Sequence, residues 1–69
     1  MFDENRFRAM IVGEGKTIRE LAEYIGISIP TLYRKMSGES DFYRNEIVKC
    51  CEFLNVENMN DVFFAKKVT

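Results

Sequence analysis

The 69-residue chain contains no histidine, and its two cysteines, Cys50 and Cys51, are adjacent. The remaining residues form no cluster of metal ligands, no glycine-rich phosphate loop and no Ser or Cys nucleophile with an evident base. These absences exclude the common kinds of catalytic and metal site. We therefore expect a protein that is not an enzyme and that has no catalytic residue, no metal, no cofactor and no small-molecule ligand.

Export and membrane signals are also missing from the sequence. The first residues mix acids with bases and contain no apolar h-region, so they do not form a signal peptide. No stretch long enough to cross a membrane is free of charged residues. Adjacent cysteines rarely bridge each other, because disulfide geometry constrains the Cα separation and the Cβ directions. The sequence thus predicts a cytoplasmic protein with reduced thiols and no membrane contact.

Proline and glycine are scarce, with one and four residues, whereas 46% of the residues are hydrophobic and 13% are aromatic. This composition indicates a single ordered domain over residues 1–69. A domain of this size buries only about 60% of the surface that its unfolded chain exposes, so its stability is expected to be modest. The net charge is −1, and any surface that binds phosphates must therefore be locally basic.

Apolar periodicity and helix-capping signals predict five short helices. The first is expected over residues 3–14, with Gly15 as its stop. The second has the strongest start signal, because Thr17 and Glu20 have the spacing of a capping box. Gly26 ends this second helix after about eight residues.

The third predicted helix begins at the N-cap Ser28, with Pro30 in its first turn, and closes at Gly38. The fourth is expected over residues 43–54, and a tail over 64–69 is expected to be extended. A last short helix, capped within residues 58–61, should contain three apolar residues: Met59, Val62 and Phe63. Since two adjacent aromatic residues on a terminal helix cannot both point inward, Phe63 or Phe64 is a candidate for a dimer interface.

Residues 17–38 have the spacing of a helix-turn-helix motif. Ala22 is small, which lets the following helix cross it closely, and Gly26 permits the sharp turn. Three apolar residues are expected to hold the two helices at a fixed angle: Ile25, Ile27 and Leu32. Such rigidity lets the second helix of the motif project from the surface and enter the major groove of DNA.

Three runs of the chain resemble those of the Xre-type regulators of phages and bacteria, the Cro and CI repressor-like family. They are GISIPTLYRKMSG over 26–38, EIVKCCEFLNV over 46–56 and DVFF over 61–64. The runs occur in the family's order and cover nearly the whole chain. The resemblance implies an all-α, five-helix lambda-repressor-like domain with a recognition helix over 28–37. It also implies a sequence-specific transcriptional regulator that binds operator DNA.

The sequence departs from the family pattern at three positions. Ile29 and Pro30 stand where family members often carry polar residues that contact bases, and neither side chain can donate a hydrogen bond. Ile29 can still contact a thymine methyl group. Tyr43 replaces the Thr or Ser that usually caps the fourth helix, which is expected to weaken that cap.

The recognition helix supplies the predicted base contacts: Ser28, Ile29, Thr31, Arg34 and Lys35. Arg34 and Lys35 are its only charged residues, and an arginine that binds guanine O6 and N7 contributes about 1–3 kcal/mol of base discrimination. The alternative is an exposed pair that only increases solubility. Ser28 and Thr31 alternatively act only in capping.

A second set of residues is predicted to contact phosphates: Lys16, Thr17, Arg19, Tyr33 and Arg44. Thr17 and the N–H groups that follow it form the N-terminus of the second helix, where a phosphate can bind. The alternative for each cation is an ordinary surface position, and Tyr33 alternatively covers the edge of the core. The carboxylates of Glu23, Glu39 and Asp41 are expected to face away from the duplex.

The predicted partner is double-stranded operator DNA, with a palindromic site bound by a homodimer. The small size of one recognition helix motivates the dimer, because two-fold pairing presents two such helices to successive turns of DNA. An alternative stays open: a protein-interaction module, of anti-repressor or antitoxin-like type, that retains the helix-turn-helix. The acidic pI of about 5.4 and the apolar pair Ile29 and Pro30 favour that alternative.

Overall fold

The structure is a computed structural model that describes residues 2–57 and 60–63. Every regular element in these two ranges is a helix, which confirms the predicted all-α class. The helices in chain order are α1 (Glu4–Gly13), α2 (Ile18–Ile25), α3 (Ile29–Met36), α4 (Arg44–Phe53) and α5 (Asn60–Phe63). None of the helices described is long and apolar enough to cross a membrane.

Side-chain caps fix the starts of α2 and α3, as the sequence predicts. The Glu20 N–H donates to Thr17 Oγ1 at 3.2 Å, and the Thr17 N–H donates to Glu20 Oε1 at 3.0 Å. This reciprocal pair is the predicted capping box. At α3, the Thr31 N–H donates to Ser28 Oγ at 3.2 Å. Both helices therefore begin where a local side chain satisfies a free backbone donor.

The turn between α2 and α3 depends on a left-handed glycine. Gly26 has φ of 90°, and the following N–H group of Ile27 donates to the Ala22 carbonyl at 3.0 Å. Ala22 is 2% exposed and Leu32 is fully buried. The structure thus confirms that Ala22 and Leu32 are buried in α2 and α3, and that Gly26 forms the turn that joins these two helices.

The core is formed mainly by side chains from all five helices: Phe7, Ile11, Leu21, Ala22, Ile25, Leu32, Met36, Cys50, Leu54, Val62 and Phe63. Four phenylalanines extend it as an aromatic cluster, with ring centroids 4.9–6.2 Å apart: Phe2, Phe7, Phe42 and Phe63. Phe63 is thus a core residue rather than part of a dimer interface. Phe64, Met59 and the tail over 64–69 lie outside the described residues.

The start of α4 differs from those of α2 and α3, because Tyr43 at its N-cap provides no side-chain hydrogen bond to the helix. The absence of a hydroxyl cap agrees with the expectation from the sequence. Glu46 compensates in part, since its Oε1 accepts the Tyr43 N–H at 2.7 Å. On the side of α4 that faces the core, Cys50 and Leu54 are buried, whereas Ile47 and Cys51 are half-buried.

Candidate nucleic-acid interface

One side of α3 is open to solvent while the other side is buried in the domain. Leu32 and Met36 are buried, with exposed fractions of 0% and 1%. The open side consists of four exposed residues, which we call the outer face of α3: Pro30, Tyr33, Arg34 and Ser37. Ser37 was not among the predicted site residues, although its spacing of three residues from Arg34 places both on one side of a helix.

The first turn of α3 joins its two hydroxyl groups to each other. Ser28 Oγ accepts the Thr31 N–H and donates to Thr31 Oγ1 at 2.8 Å. Ser28 is exposed, whereas Thr31 is half-buried. Ile29 is also half-buried and packs against the core. Of the predicted base contacts in this turn, Ser28 therefore has the most accessible polar atom, and Ile29 presents part of an apolar side chain.

Arg34 lies on the outer face as an exposed cation. The sequence of α3 contains no acidic residue, so the outer face has no carboxylate of its own. The ion pairs found among residues 2–57 and 60–63 involve other cations. Arg34 is therefore the cation on α3 that is available to an external acceptor.

Lys35 has the opposite surroundings, and the structure contradicts its predicted contact with a base. Its residue is 5% exposed, and its Nζ lies 3.0 Å from Glu46 Oε1 and 2.9 Å from the Asp41 carbonyl oxygen, to which it donates. The ring of Tyr43 covers the same ammonium, with 4.2 Å between Nζ and the ring centroid. The helical period explains this, because position 35 lies three residues after Leu32 and beside Met36, on the buried side.

At the N-terminus of α2, Thr17 and Arg19 are both exposed. The Thr17 hydroxyl donates to Glu20 Oε1 at 3.0 Å, and the same carboxylate oxygen accepts the Thr17 N–H. The N–H and the hydroxyl of Thr17, which were predicted to bind a phosphate, therefore both donate to Glu20. The guanidinium of Arg19 and the backbone N–H groups of Ile18 and Arg19 are the groups that this helix end can offer to an anion.

Lys16 is held against the end of α4. Its Nζ donates to the Phe53 carbonyl oxygen and lies 4.6 Å from the centroid of the Phe53 ring. An ammonium has three donors, so a phosphate contact by Lys16 would add to this bond rather than replace it. Arg44, at the first position of α4, is exposed.

A cation of α1 that was not among the predicted site residues also lies beside α3. The Arg8 Cζ atom is 5.4 Å from the centroid of the exposed Tyr33 ring, while Arg8 Nη2 and Glu4 Oε2 form an ion pair at 2.8 Å. Hydrogen bonding to Glu4 raises the pKa of Arg8. The i, i+4 spacing of Glu4 and Arg8 predicts their pair, whereas the contact with Tyr33 depends on the packing of α1 near α3.

These observations define an eight-residue helix at the surface, with one accessible arginine and an acid-free outer face. An α-helix has about the diameter that the major groove of B-DNA admits. The guanidinium can donate two parallel hydrogen bonds to guanine O6 and N7. Arg19 and Arg44 are exposed cations on neighbouring helices. They can bind phosphate oxygens, which carry no information about the base sequence.

Comparison with known protein families gives a match to the Cro/C1-type HTH DNA-binding domain over residues 6–63. This span includes α2, the Gly26 turn and the outer face of α3. The same comparison made with curated proteins and with solved structures gave no significant match.

Proposed function

The chain belongs to the Cro/C1-type helix-turn-helix DNA-binding domain family, and from this premise we propose that it is a transcriptional regulator that binds operator DNA sequence-specifically. The proposed recognition helix covers residues 28–37. The proposed mechanism is occupancy: the protein bound at its operator blocks or recruits polymerase. No cofactor is required for this activity.

The accessible, acid-free outer face of α3 is the observation on which the proposal rests. Arg34 is exposed there, and the buried side of the helix is fixed by Leu32 and Met36. A helix held in this way keeps its orientation when it enters a groove, which favours direct contact with base edges. We assign to Arg34 the hydrogen bonds to a guanine.

The apolar part of α3 favours thymine as a neighbouring base. Ile29 is half-buried and Pro30 is exposed, so both offer carbon surface next to the polar group of Ser28. Such surface can contact the C5-methyl group of thymine. Replacing thymine by deoxyuridine at one position of the selected site should then weaken binding, because uracil lacks only that methyl group.

Phosphate contacts are proposed for Arg19 and Arg44, with further contributions from Lys16, Tyr33 and the backbone N–H groups that follow Thr17. Arg19 and Arg44 are exposed and begin two different helices. Contacts of this kind fix the orientation of the protein on the duplex and carry no sequence information. Replacing Arg44 with alanine should therefore weaken binding to every sequence alike and reduce the salt slope by about one.

The decisive experiment compares Arg34→Ala with the wild type on sites selected from random duplex DNA. We expect the variant to lose about 1–3 kcal/mol of discrimination at one base position, because the bidentate contact to guanine is lost. Arg6→Ala is the matched control, since Arg6 is also an exposed arginine but lies on α1. Unchanged base preference in Arg34→Ala would refute the assigned role.

The salt dependence of binding separates this function from that of a protein-interaction module. Binding to mixed-sequence DNA should give a log–log slope of about −0.9 for each phosphate neutralised. The net charge of −1 makes this a strict test, because only local cations can produce the slope. A flat response, or no binding to DNA, would favour the module that recognises a protein partner.

We also propose that the protein acts as a homodimer on a palindromic site. One α3 of eight residues contacts few base pairs, and a two-fold pair doubles the number of bases contacted. Phe63 lies in the core and is not available to such an interface.

A further inference from the structure

Lys35 is a buried cation whose ammonium lies among oxygen atoms and an aromatic ring. Its Nζ donates to the Asp41 carbonyl at 2.9 Å and lies 3.0 Å from Glu46 Oε1, and the centroid of the Tyr43 ring is 4.2 Å away. The side chains of Lys35 and Glu46 are each 6% exposed. The buried positive charge therefore has an opposite charge beside it.

The three partners of Lys35 lie on successive parts of the chain that follows α3. Asp41 belongs to the connecting loop, Tyr43 is the N-cap of α4, and Glu46 is in its first turn. Glu46 also accepts the Tyr43 N–H at 2.7 Å, so the carboxylate joins Lys35 to the start of α4. Lys35 thus connects the last turn of α3 to the loop and to α4 at once.

Other direct contacts between these two helices are few within the described part of the chain. α2 packs on both α3 and α4, whereas α3 and α4 approach each other less, and the Lys35–Glu46 ion pair is a direct link between them. The Lys35–Glu46 pair therefore limits the movement of the C-terminal half of α3 relative to α4. Arg34 is the preceding residue, so any rotation of α3 that displaces Lys35 also turns Arg34.

We infer that Lys35 and Glu46 are positioning residues that determine the base specificity of α3 by fixing the direction of Arg34, without contacting DNA themselves. This inference rests on the proposed function, since it concerns the accuracy of the proposed base contact. Recognition requires contact groups to be held within about 0.5 Å and 10–20° of the productive geometry. The ion pair with Glu46 and the hydrogen bond to the Asp41 carbonyl restrain the end of α3 relative to the start of α4 and so serve that requirement.

The test uses the double variant Lys35→Met, Glu46→Gln. Replacing both partners of a buried ion pair is often close to neutral for stability, whereas removing one partner leaves an uncompensated charge. The introduced glutamine side chain retains an Oε1 that can accept the Tyr43 N–H, and the net charge is unchanged. We expect a folded protein whose affinity for mixed-sequence DNA and salt slope equal those of the wild type. The ratio of specific to mixed-sequence affinity should fall about tenfold, because Arg34 is then placed less accurately on its base.

Lys49→Met is the matched control. Lys49 Nζ also donates to a backbone carbonyl, that of Ile25 at 3.4 Å, but it joins α4 to α2 rather than to α3. This variant should keep the wild-type specificity ratio. A folded double variant with wild-type specificity would overturn the inference. So would a salt slope reduced by about one in Lys35→Met, which would mean that Lys35 binds a phosphate.

Two further outcomes are distinguishable. If the wild type itself shows no base preference, the proposed function has failed and the inference fails with it. If the wild type is selective and depends on Arg34, only the positioning role is in question. Should the double variant not fold, Lys35→Gln, Glu46→Gln is used instead, because it removes both charges together and keeps a donor for the Asp41 carbonyl. A folded protein of this kind with undiminished specificity then overturns the inference.

Discussion

At the scale of single residues, Cys50 and Cys51 are adjacent in α4 but have different surroundings. Cys50 is fully buried, whereas Cys51 is half-buried. Burial is the main cause that raises the pKa of the Cys50 thiol to about 12, with smaller contributions from Cys51 and Glu46. The neutral thiol is therefore strongly favoured in the folded protein.

This shift makes the folded protein less stable in alkali. The unfolded thiol ionises near pH 9 and the folded thiol only near pH 12, so the native state binds the extra proton between these values. The stabilisation is complete below pH 9 and is lost as the pH rises toward 12, by at most about 1.4 kcal/mol for each pH unit. Urea unfolding at several pH values measures the slope. Cys50→Ala should flatten it and Cys51→Ala should not, and equal slopes in the two variants would contradict the prediction.

Arg34 and Lys35 show why a charge is not sufficient to identify a contact residue. The two cations are consecutive, yet the first is exposed and the second is 5% exposed. The helical period places Lys35 on the side of Leu32, and this signal was present in the sequence. The sequence did not indicate that Glu46 is the partner of Lys35, because Glu46 lies on the next helix and reaches Lys35 only through the path of the connecting loop.

At the scale of elements, the turn between α2 and α3 requires glycine. Gly26 has φ of 90°, and a Cβ atom added there would meet no atom within 4 Å. The cost of Gly26→Ala is therefore entirely a backbone cost, about 1–2 kcal/mol for a left-handed residue with a side chain. Thermal or urea unfolding should show this loss.

Gly13 provides the matched control for Gly26. It is the last residue of α1, and an added Cβ atom is equally free of contacts. Gly13→Ala should stabilise the domain by up to about 1 kcal/mol, because alanine loses less backbone entropy in a helix. If both variants changed the free energy of unfolding in the same direction, the left-handed conformation of Gly26 would not be the reason that this position needs glycine.

The helix starts were predictable because their causes are local. Thr17 with Glu20, and Ser28 with Thr31, satisfy backbone donors within one turn, so the sequence alone specifies them. The outer face of α3 was predictable in part, because the spacing of Leu32 and Met36 identifies the buried side of the helix. The contact of Arg8 with Tyr33 was not predictable, since it depends on how α1 lies relative to α3 rather than on any local pattern.

At the scale of the whole molecule, the proposed homodimer sets the spacing of the DNA site. The recognition helices of a two-fold pair bind half-sites one helical turn apart, about 34 Å from centre to centre. Selected sites should be palindromes whose half-sites lie about 10 base pairs apart.

Inserting about five base pairs, half a helical turn, between the half-sites tests this geometry. The insertion turns the second half-site to the opposite side of the duplex, so a rigid dimer should lose most of its specific affinity, as an electrophoretic mobility assay would measure. Sedimentation of the complex should give two chains per site. One chain per site, with affinity that does not depend on the insertion, would exclude the homodimer.

The aromatic cluster has a consequence for synthesis of the chain. Its four rings come from the N-terminal segment, α1, the loop before α4 and α5, and Phe63 of α5 is among the core residues. While the ribosome still holds residue 63, α2 and α3 have already been made but the cluster that supports the globule is incomplete. The nascent polypeptide therefore acquires its finished architecture only after Phe63 has left the ribosome, when the segment proposed to meet DNA has already been synthesised.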